Sequence, residues 1–249
     1  MVVRAEVSRG LEHALDRGEI SAWFQPQIDV LTGRIVAAEA LCRWNHSDWG
    51  AIAPQDFIPV AEEDGTIAEI GRFMAVQALE VMAGSSIDVS VNVSPAQLHD
   101  SGFTSWLEQF IGRARRRARR LTLEITEGRH IVDAPAVIAR LDRLRRIGVG
   151  IAIDDFGAGE ASLTQLKRLH ATELKLDRAL VIDDSRAATA VMAQAVDVAH
   201  DAGVRVVAEG IETVEQLEKV TSMGCDRAQG YLFARPMPRA QLARVLRSR

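Results

Sequence analysis

Apolar runs and helical patterns alternate along this 249-residue chain, and this alternation constrains its fold more than any other feature. Eight runs are rich in branched apolar residues and are typical of strands. Repeated strand–helix units build parallel sheets with right-handed crossovers. The predicted strands are 20–28, 34–42, 87–93, 121–126, 149–154, 172–176, 204–208 and 225–229. The predicted helices are 5–17, 55–62, 66–83, 103–118, 135–146, 160–169, 186–202, 213–222 and 239–248.

The connection between the first two strands is the one departure from this repeat. Residues 29–33 are too few for a crossover helix, so the first two strands are predicted to form an antiparallel hairpin. Eight strands in a chain of this length indicate an α/β fold, a modified TIM (β/α)8 barrel with an antiparallel first strand. An open doubly wound sheet is the alternative. No linker, repeat or low-complexity segment divides the chain, so residues 1–249 are predicted to form a single domain.

Composition limits the possible partners. The formal net charge of -4 is not that of a protein that binds nucleic acid polymers. No apolar run approaches the roughly 20 residues of a membrane-spanning helix, and the N-terminus lacks the order of a signal peptide; we therefore expect no membrane contact and a cytoplasmic location. Cys42 and Cys225 match no metal-binding spacing and are predicted to be buried free thiols. The arginine-rich run 113–120 is either a solvated helix end or a patch for polyanions.

Polar residues follow the apolar part of seven predicted strands. In Ile151-Ala152-Ile153-Asp154-Asp155 two carboxylates end a strand of buried type. Taken alone, such a pair is also typical of a helix N-cap. The C-terminal ends of barrel strands meet at one face, however, where active sites of this fold lie. The candidate site residues are therefore Glu39, Asn92, Glu124, Asp154, Asp155, Lys175, Glu209 and Gln229.

The chemistry of this set points to metal ions. Several carboxylates converging in a barrel mouth repel one another, and hard divalent cations with oxygen ligands resolve that repulsion. Asn92 offers a neutral amide oxygen. Histidine and cysteine are absent from these positions, which argues against zinc and favours Mg²⁺ or Mn²⁺.

The same residues carry a family resemblance from about residue 10 to 245. The chain resembles the EAL domain family of cyclic di-GMP phosphodiesterases, whose name motif is Glu39-Ala40-Leu41. The further matching segments, in order along the chain, are 24–28, 43–44, 54–62, 92–94, 123–127, 154–157, 174–177, 209–213 and 229–231. Any one segment is a weak signal, and their common order is highly specific.

The resemblance implies a role for each site residue. It implies two Mg²⁺ or Mn²⁺ ions, with Lys175 at the attacking water, Glu209 contributing to or positioning the second ion, and Gln229 orienting the site or the water of the second ion. The implied substrate-binding residues are Gln25, Arg43 and Gln229, and Glu127 corresponds to a residue that steadies the loop after the fifth strand. The implied metal ligands are Glu39, Asn92, Glu124, Asp154, Asp155 and Glu209, with Glu39, Lys175 and Glu209 as the catalytic residues.

The implied reaction is hydrolysis of cyclic di-GMP to linear pGpG by metal-activated water, in a homodimer.

One loop departs from the family pattern. Ala158 and Glu160 stand where family members usually carry threonine and tyrosine, in a loop that the family uses to couple metal binding to dimer contacts. The alternative function is a non-hydrolysing cyclic di-GMP receptor or a protein-interaction EAL domain, and the altered loop is the feature that favours it.

Overall fold

Eight strands close into a barrel in the computed structural model, which describes residues 4–114, 120–126, 134–157 and 163–248. All eight predicted strands are present, and two short strands, β3 and β10, were not predicted. The strands are β1 (Ile20–Asp29), β2 (Ile35–His46), β3 (Gly50–Ile52), β4 (Asp88–Asn92), β5 (Leu121–Thr126), β6 (Gly150–Phe156), β7 (Glu173–Leu176), β8 (Arg205–Ala208), β9 (Arg227–Gln229) and β10 (Met237–Pro238).

The first strand closes the barrel in reverse. β1 pairs antiparallel with both β2 and β9, whereas the other barrel pairings, from β2 through β4 to β9, are parallel. β3 and β10 extend the barrel only at its rim, against β2 and β1. The modified TIM barrel with an antiparallel first strand is therefore confirmed, and the open doubly wound alternative is wrong because β1 joins both ends of the sheet.

Helices cover the outside of the barrel. They are α1 (Arg4–Leu11), α2 (Pro54–Asp64), α3 (Ile67–Gly84), α4 (Pro95–His99), α5 (Ser101–Gly112), α6 (Pro135–Arg146), α7 (Thr164–Arg168), α8 (Arg178–Ile182), α9 (Arg186–Asp201), α10 (Val214–Ser222) and α11 (Arg239–Arg247). Two predicted helices end early: α1 stops at Leu11 instead of residue 17, and α5 stops at Gly112 instead of residue 118. The short helices α4 and α8 were not predicted, since five residues are too few to show a helical period.

A buried ionic network closes the N-terminal end of the barrel. The Arg227 guanidinium lies 2.7 Å from a carboxylate oxygen of Asp88 and 3.6 Å from one of Glu173. Arg205 lies 2.9 Å from the same Glu173 oxygen. These residues begin β9, β4, β7 and β8, so Arg227 connects strands that are not neighbours in the sheet. We call these four residues the floor network.

The predictions for the two cysteines, the arginine-rich run and membrane-spanning helices concern residues outside the barrel interior. Cys225 is buried as predicted, but Cys42 is only half-buried because it faces a groove beside β2. Burial raises the pKa of both thiols to about 12, so both stay protonated near neutral pH. Most of the arginine-rich run, residues 115–119, lies outside the described residues. No helix in the described ranges is long and apolar enough to cross a membrane.

The floor network predicts a stability defect in Arg227→Met. The substitution leaves the buried Glu173 with only the more exposed Arg205 as a cationic partner, so the free energy of unfolding should fall by about 2–3 kcal/mol. Urea denaturation of the metal-free protein measures this. Arg205→Met is the control, since the Arg205 side chain is 39% exposed and its ion pair is screened by water. An equal loss in both variants would contradict the bridging role of Arg227.

Candidate metal centre at the barrel mouth

Six barrel strands each direct a polar side chain into the C-terminal mouth of the barrel. Side chains on a strand alternate between its two faces, so every second residue of these strands points inward. The pairing register then sets their heights: Asn92 lies opposite Glu124, and Gln25 lies opposite Glu39. The inward set is Glu39 on β2, Asn92 on β4, Glu124 on β5, Asp154 on β6, Lys175 on β7 and Gln229 on β9, with Glu209 directly after β8.

Lys175 is the centre of this cluster. Its Nζ lies 2.7 Å from Glu209 Oε1, 2.9 Å from Glu124 Oε2, 3.0 Å from Asp154 Oδ1 and 3.8 Å from Glu39 Oε2. Only 1% of the side chain is exposed. Burial alone would lower the pKa of Lys175, but the surrounding carboxylates, Glu124 foremost, raise it well above its ordinary value. The side chain is therefore an ammonium ion.

The carboxylates outnumber this ammonium. Burial, together with the charge of Glu39, raises the pKa of Glu124 well above its ordinary value. Burial and the charge of Asp154 raise the pKa of Glu209 to about 8, although Lys175 acts in the opposite direction. Glu124 Oε1 is buried and has no hydrogen-bond partner among the described residues. Lys175 alone thus does not keep all of these carboxyls ionised, and a further cation would favour their deprotonated forms.

Glu39 is held differently from the other carboxylates. Asn92 Nδ2 donates to its Oε1 over 2.8 Å, and Gln229 Nε2 donates to its Oε2 over 2.6 Å. Burial alone would raise the pKa of Glu39, but Lys175 and these two amides lower it below its ordinary value. Glu39 is therefore an oriented carboxylate anion. Because Asn92 donates through nitrogen, its amide oxygen stays available to another group.

A local irregularity brings both adjacent aspartates to the mouth. Between Ile153 and Phe156 of β6 the register against β7 slips by one residue, and Asp155 takes a left-handed backbone with φ of 57°. Such a bulge redirects a side chain that regular alternation would turn outward. Asp154 is buried, whereas Asp155 as a residue is exposed although its carboxyl group is partly desolvated. This partial desolvation and the charge of Asp154 raise the pKa of Asp155 to about 6.

The helix-cap interpretation of this pair is wrong for α7. Asp154 and Asp155 both belong to β6, whereas the N-cap of α7 is Leu163. Ligand oxygens of Asp154, Asp155 and Glu209 all lie within 4.8 Å of one another. Together with the unpartnered oxygen of Glu124, this set fits hard divalent cations, which prefer carboxylate and amide oxygens.

Two concave regions adjoin this cluster. One, of about 550 Å³, extends from Asp154 and Asp155 past Arg43 toward Glu62 on α2. Arg43 donates to the carbonyl of Cys42 over 2.9 Å, which leaves most of its guanidinium donors for a ligand. A larger cavity of about 850 Å³ lies between α3 and α11, but it contains none of the predicted site residues.

The second region, of about 240 Å³, is lined by Gln25, Glu209, Gln229 and Tyr231. The structure places Gln25 at the mouth, where its amide nitrogen donates to the carbonyl of Ala234 over 3.3 Å and its amide oxygen accepts from Gln229 over 3.3 Å. Gln27 was assigned no role from the sequence, yet it contacts Gln229 directly. Alternation with Gln25 on β1 is the signal that places Gln27 on the inward face. Glu127, Ala158 and Glu160 lie outside the described residues.

Comparison with known proteins identifies this arrangement. The family model described as the EAL domain matches residues 8–236. The chain belongs to the EAL domain family. The earlier family resemblance is therefore confirmed.

Named EAL relatives come from Pseudomonas aeruginosa. The bifunctional diguanylate cyclase/cyclic di-GMP phosphodiesterase MucR is 38% identical over 244 residues, which cover 93% of this chain and 35% of MucR. The cyclic di-GMP phosphodiesterase RocR is 35% identical over 242 residues, or 94% of this chain and 60% of RocR. The chain thus spans less than two thirds of either relative.

A solved EAL structure agrees with the fold. The MucR phosphodiesterase in complex with c-di-GMP has a TM-score of 0.87 and 36% identity to this chain, and the match covers 95% of this chain and 99% of that one. This EAL domain thus has the barrel of a solved family member.

The Lys175 environment predicts that Lys175→Met unfolds easily when metal is absent. The substitution leaves Glu124, Asp154 and Glu209 buried together without their ammonium, which should cost roughly 3–5 kcal/mol. Chemical denaturation in EDTA measures the loss. Lys167→Met, on the exposed side of α7, is the matched control and should change stability little. Unchanged stability of Lys175→Met would mean that the ion pairs of this cluster contribute nothing.

Proposed function

We propose that this EAL domain hydrolyses cyclic di-GMP to linear pGpG. The arrangement of Lys175 among Glu39, Glu124, Asp154 and Glu209 carries the proposal, because this charge set suits divalent ions and phosphate chemistry. The relatives named cyclic di-GMP phosphodiesterases and the c-di-GMP complex of the structural neighbour support the choice of substrate.

The proposed cofactors are two Mg²⁺ or Mn²⁺ ions. Glu39, Asn92, Glu124 and Asp154 would hold one ion, and Asp154, Asp155 and Glu209 would hold the other. When bound, such ions lower the pKa of water and neutralise charge on phosphate oxygens. Because no histidine or cysteine belongs to the set, oxygen-preferring ions fit it better than zinc.

The protein's own residues would then act on the substrate. In the reaction, a water oxygen bonds to phosphorus, the P–O3′ bond breaks, and the 3′ oxygen leaves with a proton. The Lys175 ammonium, a donor that cannot accept, would hold the attacking water by its oxygen. The planar guanidinium of Arg43 would bind a phosphate oxygen pair and orient the diester. Gln229 would keep Glu39 in place.

The direct test is incubation of the purified chain with cyclic di-GMP and MnCl₂, with products identified by mass spectrometry. We expect pGpG with Mn²⁺, none in EDTA, and none from the near-isosteric variant Asp154→Asn, which removes a ligand charge. Circular dichroism shows that the variant is folded. Calorimetric binding of cyclic di-GMP without pGpG would overturn hydrolysis and favour the receptor alternative.

Arg43→Lys should separate binding from turnover. A lysine keeps the charge but loses the two-pronged donor geometry, so KM should rise about tenfold while kcat changes less. Initial rates over a range of cyclic di-GMP concentrations measure both constants. Arg34→Lys, in the hairpin at the other end of the barrel, should leave both unchanged. A fall in kcat with constant KM would contradict the assignment of Arg43 to substrate binding.

Three further proposals concern the whole chain. We propose that residues 1–249 act as a single domain in the cytoplasm and assemble as a homodimer. Limited proteolysis tests the first, localisation of a tagged protein the second, and sedimentation velocity the third. That Ala158 and Glu160 change the coupling of metal binding to dimer contacts also stays a prediction.

A further inference from the structure

A short relay of side-chain amides connects the floor side of the barrel interior to the carboxylate of Glu39. Gln27 Nε2 donates to Gln229 Oε1 over 2.9 Å, and Gln229 Nε2 donates to Glu39 Oε2 over 2.6 Å and to Gln25 Oε1 over 3.3 Å. The pairing of β1 with β9 sets Gln27 opposite Gln229. Gln27 is 1% exposed and Gln229 5% exposed, so water does not replace these hydrogen bonds easily.

The charge on Glu39 fixes the direction of the whole relay. A carboxylate accepts hydrogen bonds and does not donate, so Gln229 must turn its NH₂ group toward Glu39. The oxygen at the other end of that amide then faces Gln27. Gln27 in turn must present its NH₂ group.

We propose that Gln27 is a positioning residue, which fixes the amide orientation of Gln229 and, through it, the Glu39 carboxylate. The inference rests on the proposed function, in which Glu39 is a metal ligand. Gln229 hydrogen-bonds directly to this ligand, and removal of such a group typically changes metal affinity or activity 10- to 100-fold. Gln27 lies one hydrogen bond further from Glu39, so its removal should have an effect at the lower end of that range.

Loss of Gln27 has a specific consequence for its neighbour. Without the Gln27 donor, the oxygen of Gln229 is buried without its partner. A half-turn of the Gln229 amide then points that oxygen at the Glu39 carboxylate and its nitrogen away. Two acceptors facing each other repel, so Glu39 loses one of the two donors that orient it.

The test is a double-mutant cycle with Mn²⁺ affinity as its readout. Gln27→Met, Gln229→Met and the double variant are titrated with Mn²⁺ by calorimetry, and cyclic di-GMP turnover is measured in parallel. We expect Gln27→Met to weaken Mn²⁺ binding about tenfold. The double variant should bind Mn²⁺ no more weakly than Gln229→Met, since Gln27 acts through Gln229.

A neighbouring residue supplies the control. Ile28→Met replaces the next residue of β1, which belongs to the hydrophobic core, with one of similar volume. It should leave Mn²⁺ affinity unchanged. Gln27→Leu repeats the cycle if Gln27→Met fails to fold, as judged by circular dichroism.

Each outcome decides the proposal. Additive effects of the two substitutions, or Mn²⁺ affinity of Gln27→Met equal to that of the wild type, would overturn it. Wild-type protein that binds no Mn²⁺ would overturn both this inference and the metal site. Wild-type protein that binds Mn²⁺ but makes no pGpG would overturn hydrolysis alone, and the Mn²⁺ affinities would still decide the role of Gln27.

Discussion

The ammonium of Lys175 among buried carboxylates is the interaction on which the mouth of the barrel depends. A single positive charge lies within 4 Å of four acidic side chains, three of them at 3.0 Å or less. Without it, the fully buried Glu124 would have no cationic partner at such a distance among the described residues. With it, the carboxyl groups still outnumber the cation, and the pKa values of Glu124 and Glu209 stay raised. The Lys175 ion pairs therefore stabilise the folded mouth, and the carboxyl oxygens left over are suitable ligands for divalent cations.

The two ends of the barrel solve the same electrostatic problem in different ways. At the floor, Arg227 and Arg205 face Asp88 and Glu173, so the formal charges of the floor network balance. At the mouth, the carboxylates exceed the ammonium. The charges thus balance at the N-terminal end of the barrel and do not balance at the C-terminal end. This agrees with β/α barrels in general, in which residues at the N-terminal end stabilise the fold and residues at the C-terminal end form the active site.

The sequence predicts the strands well because their branched apolar runs are long and regularly spaced, and the inward set follows from alternation along them. It predicts less where the backbone breaks that alternation. Asp155 reaches the mouth through a bulge and a left-handed φ of 57°, which alternation alone would not show. Helix α4 escapes prediction because a capping box at Ser94, rather than a helical period, defines it. Gln27 received no role because its partner Gln229 lies 202 residues away.

The reversed first strand brings two glutamines to the side of the mouth where Glu39 and Gln229 lie. Because β1 lies between β2 and β9 and pairs with both, one strand sets Gln25 opposite Glu39 and Gln27 opposite Gln229. An amide carries a donor and an acceptor at fixed positions, so it can transmit an orientation from one residue to the next, whereas a carboxylate only accepts. The neutral relay adds no charge to a mouth in which carboxyl groups already outnumber the cation. The donors that orient Glu39 come from Asn92 on β4 and Gln229 on β9, and the reversed β1 adds Gln25 and Gln27 as partners of Gln229.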